Sequence, residues 1–219
     1  MIKRASFSAV ILDLDGLILD TEKTYRIAWQ SALESMGYSL PTNVYQGLCG
    51  LQYESIERFF WEQCGTNFDV RLFRKISAEQ WHDYVGLEGI AVKLGAFDLL
   101  AALTERQIPY CLATNSLSEY AERNLEIAGI GHLFPNKVTR DQVKQGKPAP
   151  DIFLLAAKVI GYPIAKCLVV EDSVVGIEAA QVAGAIPIWV PDVNSKQTLM
   201  DSEKVCQLND LVELERLLF

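Results

Sequence analysis

Three apolar runs in this 219-residue chain stop at residues that could do chemistry. Asp13-Leu14-Asp15-Gly16 follows Ala9 to Leu12, Thr114-Asn115-Ser116 follows Tyr110 to Ala113, and Glu171-Asp172 follows Leu168 to Val170. Residues two apart on an extended chain point the same way, so Asp13 and Asp15 lean into one space while Gly16 lets the backbone turn away. Two like charges ~4 Å apart repel by about 4 kcal/mol at an effective dielectric near 20, and Glu171 and Asp172 add to this. Such a cluster calls for a cation. Oxygen-only ligands with room for water and a phosphate oxygen suit Mg²⁺ better than zinc. Lys147, in Gly146-Lys147-Pro148, brings a second positive charge. The Thr114 hydroxyl and the backbone amides of Asn115 and Ser116, at a helix start, can donate to an anion. Four acids, one lysine and a hydroxyl fit a phosphoryl group together with its metal.

These residues need elements to carry them. Ala9 to Leu12, Tyr110 to Ala113, Leu168 to Val170 and Ile186 to Val190 read as buried strands, the last three alternating with amphipathic helices. That rhythm predicts an α/β fold, a doubly wound parallel sheet with helices on both faces. In an open parallel sheet, ligands sit beyond the carboxyl ends of the strands, which is where the polar segments fall. Ser116 and Glu119 fit a capping box for a helix running to a stop at Gly129, and Pro148 and Pro150 suit the start of another. Residues 21–88 break the rhythm with several helical patterns and no strand. Tyr25, Ala28, Trp29, Ala32, Leu33 and Met36 share one helix face, and Trp29, Trp61 and Trp81 supply bulk for a separate small core. The expected domains are therefore a discontinuous core, 1–20 and 89–219, and an inserted helical cap, 21–88.

Lys and Arg number 20 against 28 Asp and Glu, a formal charge of −8 with a pI near 4.9, which argues against a nucleic-acid groove or an anionic membrane surface as partner. The five cysteines are odd in number and lack C-x-x-C spacing, which predicts a reducing compartment without a disulfide framework or zinc knuckle. Cys111 and Cys167, inside strand patterns, are expected as small buried hydrophobes. Lys3 and Arg4 precede an apolar run that Asp13 breaks too soon for a secretion signal, and no stretch reaches the ~20 apolar residues of a bilayer span. A cytoplasmic monomer is expected.

Asp13-Leu14-Asp15-Gly16, Ala113-Thr114-Asn115, Lys147-Pro148-Ala149-Pro150-Asp151 and Glu171-Asp172-Ser173 with Gly176-Ile177 resemble the four motifs of the haloacid dehalogenase (HAD) superfamily, in that family's order. The match is to its β-phosphoglucomutase-like branch and covers nearly the whole chain. The resemblance implies a Rossmannoid core with a cap, acting on a small phosphorylated substrate. It implies that Asp13 attacks phosphorus to give an aspartyl phosphate, and that Asp15 protonates the leaving oxygen and then activates water. It also implies Mg²⁺ held by Asp13, the Asp15 carbonyl and Asp172, with Glu171 as a ligand or as partner to one. Thr114, Asn115 and Lys147 would hold the transferring phosphoryl group.

The sequence also departs from the mutase pattern. Tyr25 stands where the mutase has a histidine, Tyr53 where its cap loop has an arginine, and residues 43–54 contain neither Lys nor Arg. Water is therefore the expected acceptor, and a Mg²⁺-dependent phosphatase of sugar phosphates or nucleotide monophosphates the expected activity. Gln52 and Tyr53 are candidate substrate contacts, His82 and His132 have no assigned role, and Lys93 and Arg26 read as ordinary surface charge. A sugar-phosphate mutase and a phosphoacceptor signalling module are the alternatives.

Overall fold

The aliphatic run Ala9–Leu12 forms β1, buried at all four positions, as a central strand covered on both faces must be. Burial of Val10, Ile11 and Leu12 contributes about 1.5–3 kcal/mol each. In this computed structural model, which describes residues 7–46, 48, 53–192, 198 and 205–219, β1 lies between β2 (Tyr110–Ala113) and β4 (Cys167–Glu171). With β3 (Lys137–Val138), β5 (Ile186–Trp189) and β6 (Cys206–Gln207) they make a wholly parallel sheet of order β3-β2-β1-β4-β5-β6. The order reverses at β1, so the crevice that such a switch point creates opens at the end of that strand. The two-residue strands β3 and β6 were not among the expected ones, and β4 and β5 differ from expectation by a residue or two at their ends.

The described residues divide into two units, 7–20, 91–192, 198 and 205–219 in one and 21–46, 48 and 53–90 in the other. In the first, Ala9, Ile11, Cys111, Ala113, Cys167 and Val169 form one buried cluster with Phe153 and Ala156 of a helix at Asp151–Ile160 and Ala179 and Ala180 of a helix at Val174–Ala183. Alternation along the strands sends Val10, Leu12, Leu112 and Val170 to the other face, where they are equally buried. Burial pushes the Cys111 thiol up to about 12 and the Cys167 thiol to about 11, so both sit as inert apolar groups.

Among its described residues the second unit has helices and no strand: α1 (Thr21–Ser35), α2 (Thr42–Gln46), α3 (Tyr53–Cys64) and α4 (Val70–Glu88). Trp29, Leu33, Phe60 and Phe73 pack in its core, and the Trp81 indole donates to Thr24 Oγ1 at 2.9 Å. Asp69 caps α4 by accepting from the amides of Arg71 and Leu72. Trp61 departs from expectation: it is 44% exposed, on the side of α3 opposite the buried Phe60 and Ile56. Among the described residues no helix is long and apolar enough to cross a membrane.

Candidate active site

Asp13 directly follows β1, held in register by its amide donating to the Val170 carbonyl at 3.1 Å. The pairing of Leu12 with both Leu112 and Val170 sets the ends of β1, β2 and β4 level. Asp13, Thr114 and Glu171 therefore emerge side by side, as the sequence predicts. One carboxylate oxygen each from Asp13, Glu171 and Asp172 lies within 4.8 Å of the others, and all three residues are buried. A six-coordinate Mg²⁺ with ~2.1 Å bonds places its ligand oxygens about 3 to 4 Å apart, so this donor set fits a small hard cation.

The Lys147 ammonium donates to Asp13 Oδ1, to Glu171 Oε1 and, at 3.1 Å, to the Ala113 carbonyl. Burial lowers the affinity of such an ammonium for its proton, but the charges of Asp13 and Glu171 and their hydrogen bonds carry Lys147 above its ordinary value. Burial pushes the Asp13 carboxyl well above its ordinary value; Lys147 opposes this, and Glu171 and Asp15 reinforce it. Asp13 and Glu171 share the Lys147 ammonium, and Asp15 and Asp172 add two further acids beside Asp13 and Glu171. A divalent cation would offset most of the remaining charge.

Glu171 is wholly buried, and both its oxygens are engaged: Oε1 with Lys147, Oε2 with the Ser173 hydroxyl at 2.9 Å and the Ser173 amide at 3.3 Å. Two glycines make room for the acids. A Cβ on Gly176 would lie 1.9 Å from Glu171 Cδ, and one on Gly16, whose φ is +88°, would lie 2.0 Å from Asp172 Oδ2. Ser173 also caps the helix Val174–Ala183 by accepting from the Gly176 amide, so one side chain starts the helix and fixes Glu171.

The second segment corrects one expectation, the helix cap at Ser116. The Asn115 side chain is engaged with Lys147: Oδ1 accepts from the Lys147 amide at 2.9 Å and Nδ2 donates to the Lys147 carbonyl at 3.2 Å. It clamps the lysine's backbone, and only its own N–H is left to offer an anion. Ser116 does not cap a helix. The helix Ser118–Ile127 starts from Leu117 without a side-chain cap, while the Ser116 hydroxyl donates to Asp15 Oδ2 at 2.7 Å. Thr114 Oγ1 donates to the same oxygen at 3.0 Å and accepts from the Ser116 amide. The two-residue alternation that pairs Asp13 with Asp15 would also have paired Thr114 with Ser116.

The Thr114–Ser118 and Thr139–Lys147 loops are tied together. The Arg140 amide donates to the Ser116 carbonyl, and Asp141 accepts from the Ser118 amide and from the hydroxyls of Ser118 and Thr139. Those bonds, Ser118's hydroxyl first, hold the Asp141 carboxyl at about 2, against an ordinary value of 3.8. A folded value below the unfolded one gives stabilisation that is complete above about pH 4 and is lost as pH falls through about 2. Asp141→Asn is thus expected to be less stable than wild type at pH 5, with a gap that shrinks on acidification. Urea midpoints measured from pH 5 downward check this, and a gap that widens would contradict it.

Gln52 and the side chain of Tyr53 lie outside the described residues. Tyr25 stacks on Trp29 and Trp81, with ring centroids 6.0 and 5.8 Å away. Lys93 pairs with Asp192 at 3.0 Å, and Arg26 lies on α1.

The family model of the haloacid dehalogenase-like hydrolases matches residues 7–184, which include every side chain of the cluster. The chain belongs to that family. Among its relatives in the family, a Drosophila melanogaster protein named probable pseudouridine-5'-phosphatase is 35% identical over 193 residues, 85% of this chain and 83% of the relative. A fructose-1-phosphate phosphatase of Escherichia coli K12 is 33% identical over 178 residues, 81% of this chain and 93% of the relative. The crystal structure of a candidate β-phosphoglucomutase from Thermotoga maritima superposes with a TM-score of 0.83 at 26% identity, covering 97% of this chain and 98% of the other.

Proposed function

We propose that this enzyme is a phosphoric monoester hydrolase that acts on a small phosphorylated sugar or nucleotide monophosphate through Asp13 and Asp15, with Mg²⁺ as its metal. The observation that carries this reading is the meeting of Asp13, Asp15, Thr114, Lys147, Glu171 and Asp172 at the switch point of the sheet, with three carboxylates close enough to share one ion. Relatives named for phosphatase activity on pseudouridine 5'-phosphate and fructose 1-phosphate support the substrate class.

In this reading Asp13 and Asp172 hold the metal with the Asp15 carbonyl, and Glu171 fixes Lys147. Bound Mg²⁺ would offset the charge of the substrate's phosphoryl oxygens. An Asp13 carboxylate oxygen forms a bond to phosphorus as the P–O bond to the alcohol breaks, and Asp15 gives its proton to the departing oxygen. Water then attacks the aspartyl phosphate, Asp15 takes the proton, and inorganic phosphate leaves with the Asp13 carboxylate restored. Lys147 and the Asn115 amide stabilise the phosphoryl oxygens. The helical unit that begins at Thr21 serves as the substrate-selecting cap. A tyrosine at position 25, engaged with two indole rings, favours water over a sugar hydroxyl as acceptor.

A panel of phosphorylated metabolites, assayed for inorganic phosphate with Mg²⁺ and with excess chelator, tests the proposal. Phosphate release from at least one sugar phosphate or nucleotide is expected, falling about 10²-fold or more without the metal. Isomerised product with no free phosphate would instead identify a mutase, and release indifferent to chelator would reject the metal.

A further inference from the structure

Asp15 Oδ2 receives two hydroxyl donors, Thr114 Oγ1 at 3.0 Å and Ser116 Oγ at 2.7 Å, and the Ser116 amide closes the ring by donating to Thr114 Oγ1. A hydroxyl has one proton to donate. If Thr114 turns that proton to a phosphoryl oxygen, Asp15 Oδ2 loses one of these two hydroxyl donors. Ser116 is differently placed: its backbone carbonyl is anchored by the Arg140 amide at 3.0 Å, so its hydroxyl can stay on Asp15 while Thr114 engages substrate.

We infer that Ser116 is the positioning residue for Asp15, holding Oδ2 so that the carboxyl keeps its aim at the leaving oxygen. This rests on the reading of Asp15 as the proton donor. The step is the one written above: the P–O bond to the alcohol breaks, an Asp13 oxygen bonds phosphorus, and the Asp15 proton passes to the alcohol oxygen. A misaimed acid penalises leaving groups in proportion to their need for that proton. Phenol, with a pKa of about 10, needs it. p-Nitrophenol, whose nitro group delocalises the charge, leaves without it.

The test compares kcat/KM for phenyl phosphate and p-nitrophenyl phosphate, two substrates of nearly the same shape, in wild type, Ser116→Ala, Ser116→Thr and Asp15→Ala. Acid catalysis is worth roughly 10²- to 10⁴-fold, and loss of aim should forfeit about tenfold of it in Ser116→Ala with phenyl phosphate, with less than about threefold lost with the nitrophenyl ester. Ser116→Thr, which keeps the donor, should retain the wild-type ratio of the two substrates; a ratio as low as that of Ser116→Ala would count against the inference. Equal losses on both substrates in Ser116→Ala, beside a selective loss in Asp15→Ala, would make Ser116 merely structural and overturn it. No selectivity in Asp15→Ala would remove the acid role of Asp15 itself, and the role of Ser116 with it.

Discussion

Asp13→Asn is expected to hydrolyse p-nitrophenyl phosphate about 10⁴-fold or more slowly than wild type, the scale on which removal of a nucleophile acts, while melting at no lower temperature. An amide has the shape of the carboxylate but not its capacity to attack phosphorus. The stability half of the expectation follows from the surroundings. Burial and the charges of Glu171 and Asp15 press against ionisation of Asp13, so a neutral group relieves the cluster. Asn Oδ1 can still accept from Lys147, which also keeps Glu171 and the Ala113 carbonyl. Phosphate release by the variant at a tenth of the wild-type rate or faster would reject Asp13 as nucleophile. A variant that fails to fold would reject the account of the cluster's charge.

Lys147→Met should have the largest effect on stability, about 3–5 kcal/mol in the absence of divalent metal, because it leaves Asp13 and Glu171 buried without their counter-charge. The ammonium side chain is only 4% exposed. Methionine keeps much of the apolar stem and removes the charge, together with the ammonium's contact over the Phe153 ring, 5.1 Å from its centroid. Urea denaturation in excess chelator reads the loss. The double variant Lys147→Met with Glu171→Gln should recover part of it, since one of the two orphaned acids is then neutral. If the single variant is as stable as wild type, the ammonium is not what makes these acids tolerable.

The chemistry-bearing segments were legible because each follows a strand, and strands buried on both faces announce themselves as aliphatic runs. Parallel sheets bring the carboxyl ends of their strands to one edge, so Asp13, Thr114, Glu171 and Asp172 could be assigned to a common site without knowledge of strand order. Lys147 follows no such run; its charge suited the acids, and resemblance to the family's third motif gave it a place beside them. The strands β3 and β6 escaped notice since two residues show no period; they pair only because a neighbouring strand already offers its edge. Trp61 shows the same limit from the other side, since helical spacing did not separate it from the buried face of α3.

Sequence alone determined which residue types stand at the strand ends, the net acidity of the cluster, and the break in rhythm from Thr21 onward. What only the tertiary structure decided is how the polar atoms are shared. Locally, Ser116 is a good cap and Asn115 a good anion donor, but a hydroxyl or amide bonds whichever partner the folded chain brings within about 3 Å. Here the partners are Asp15, 101 residues away from Ser116, and the Lys147 backbone, 32 away from Asn115, and no local pattern encodes such separations.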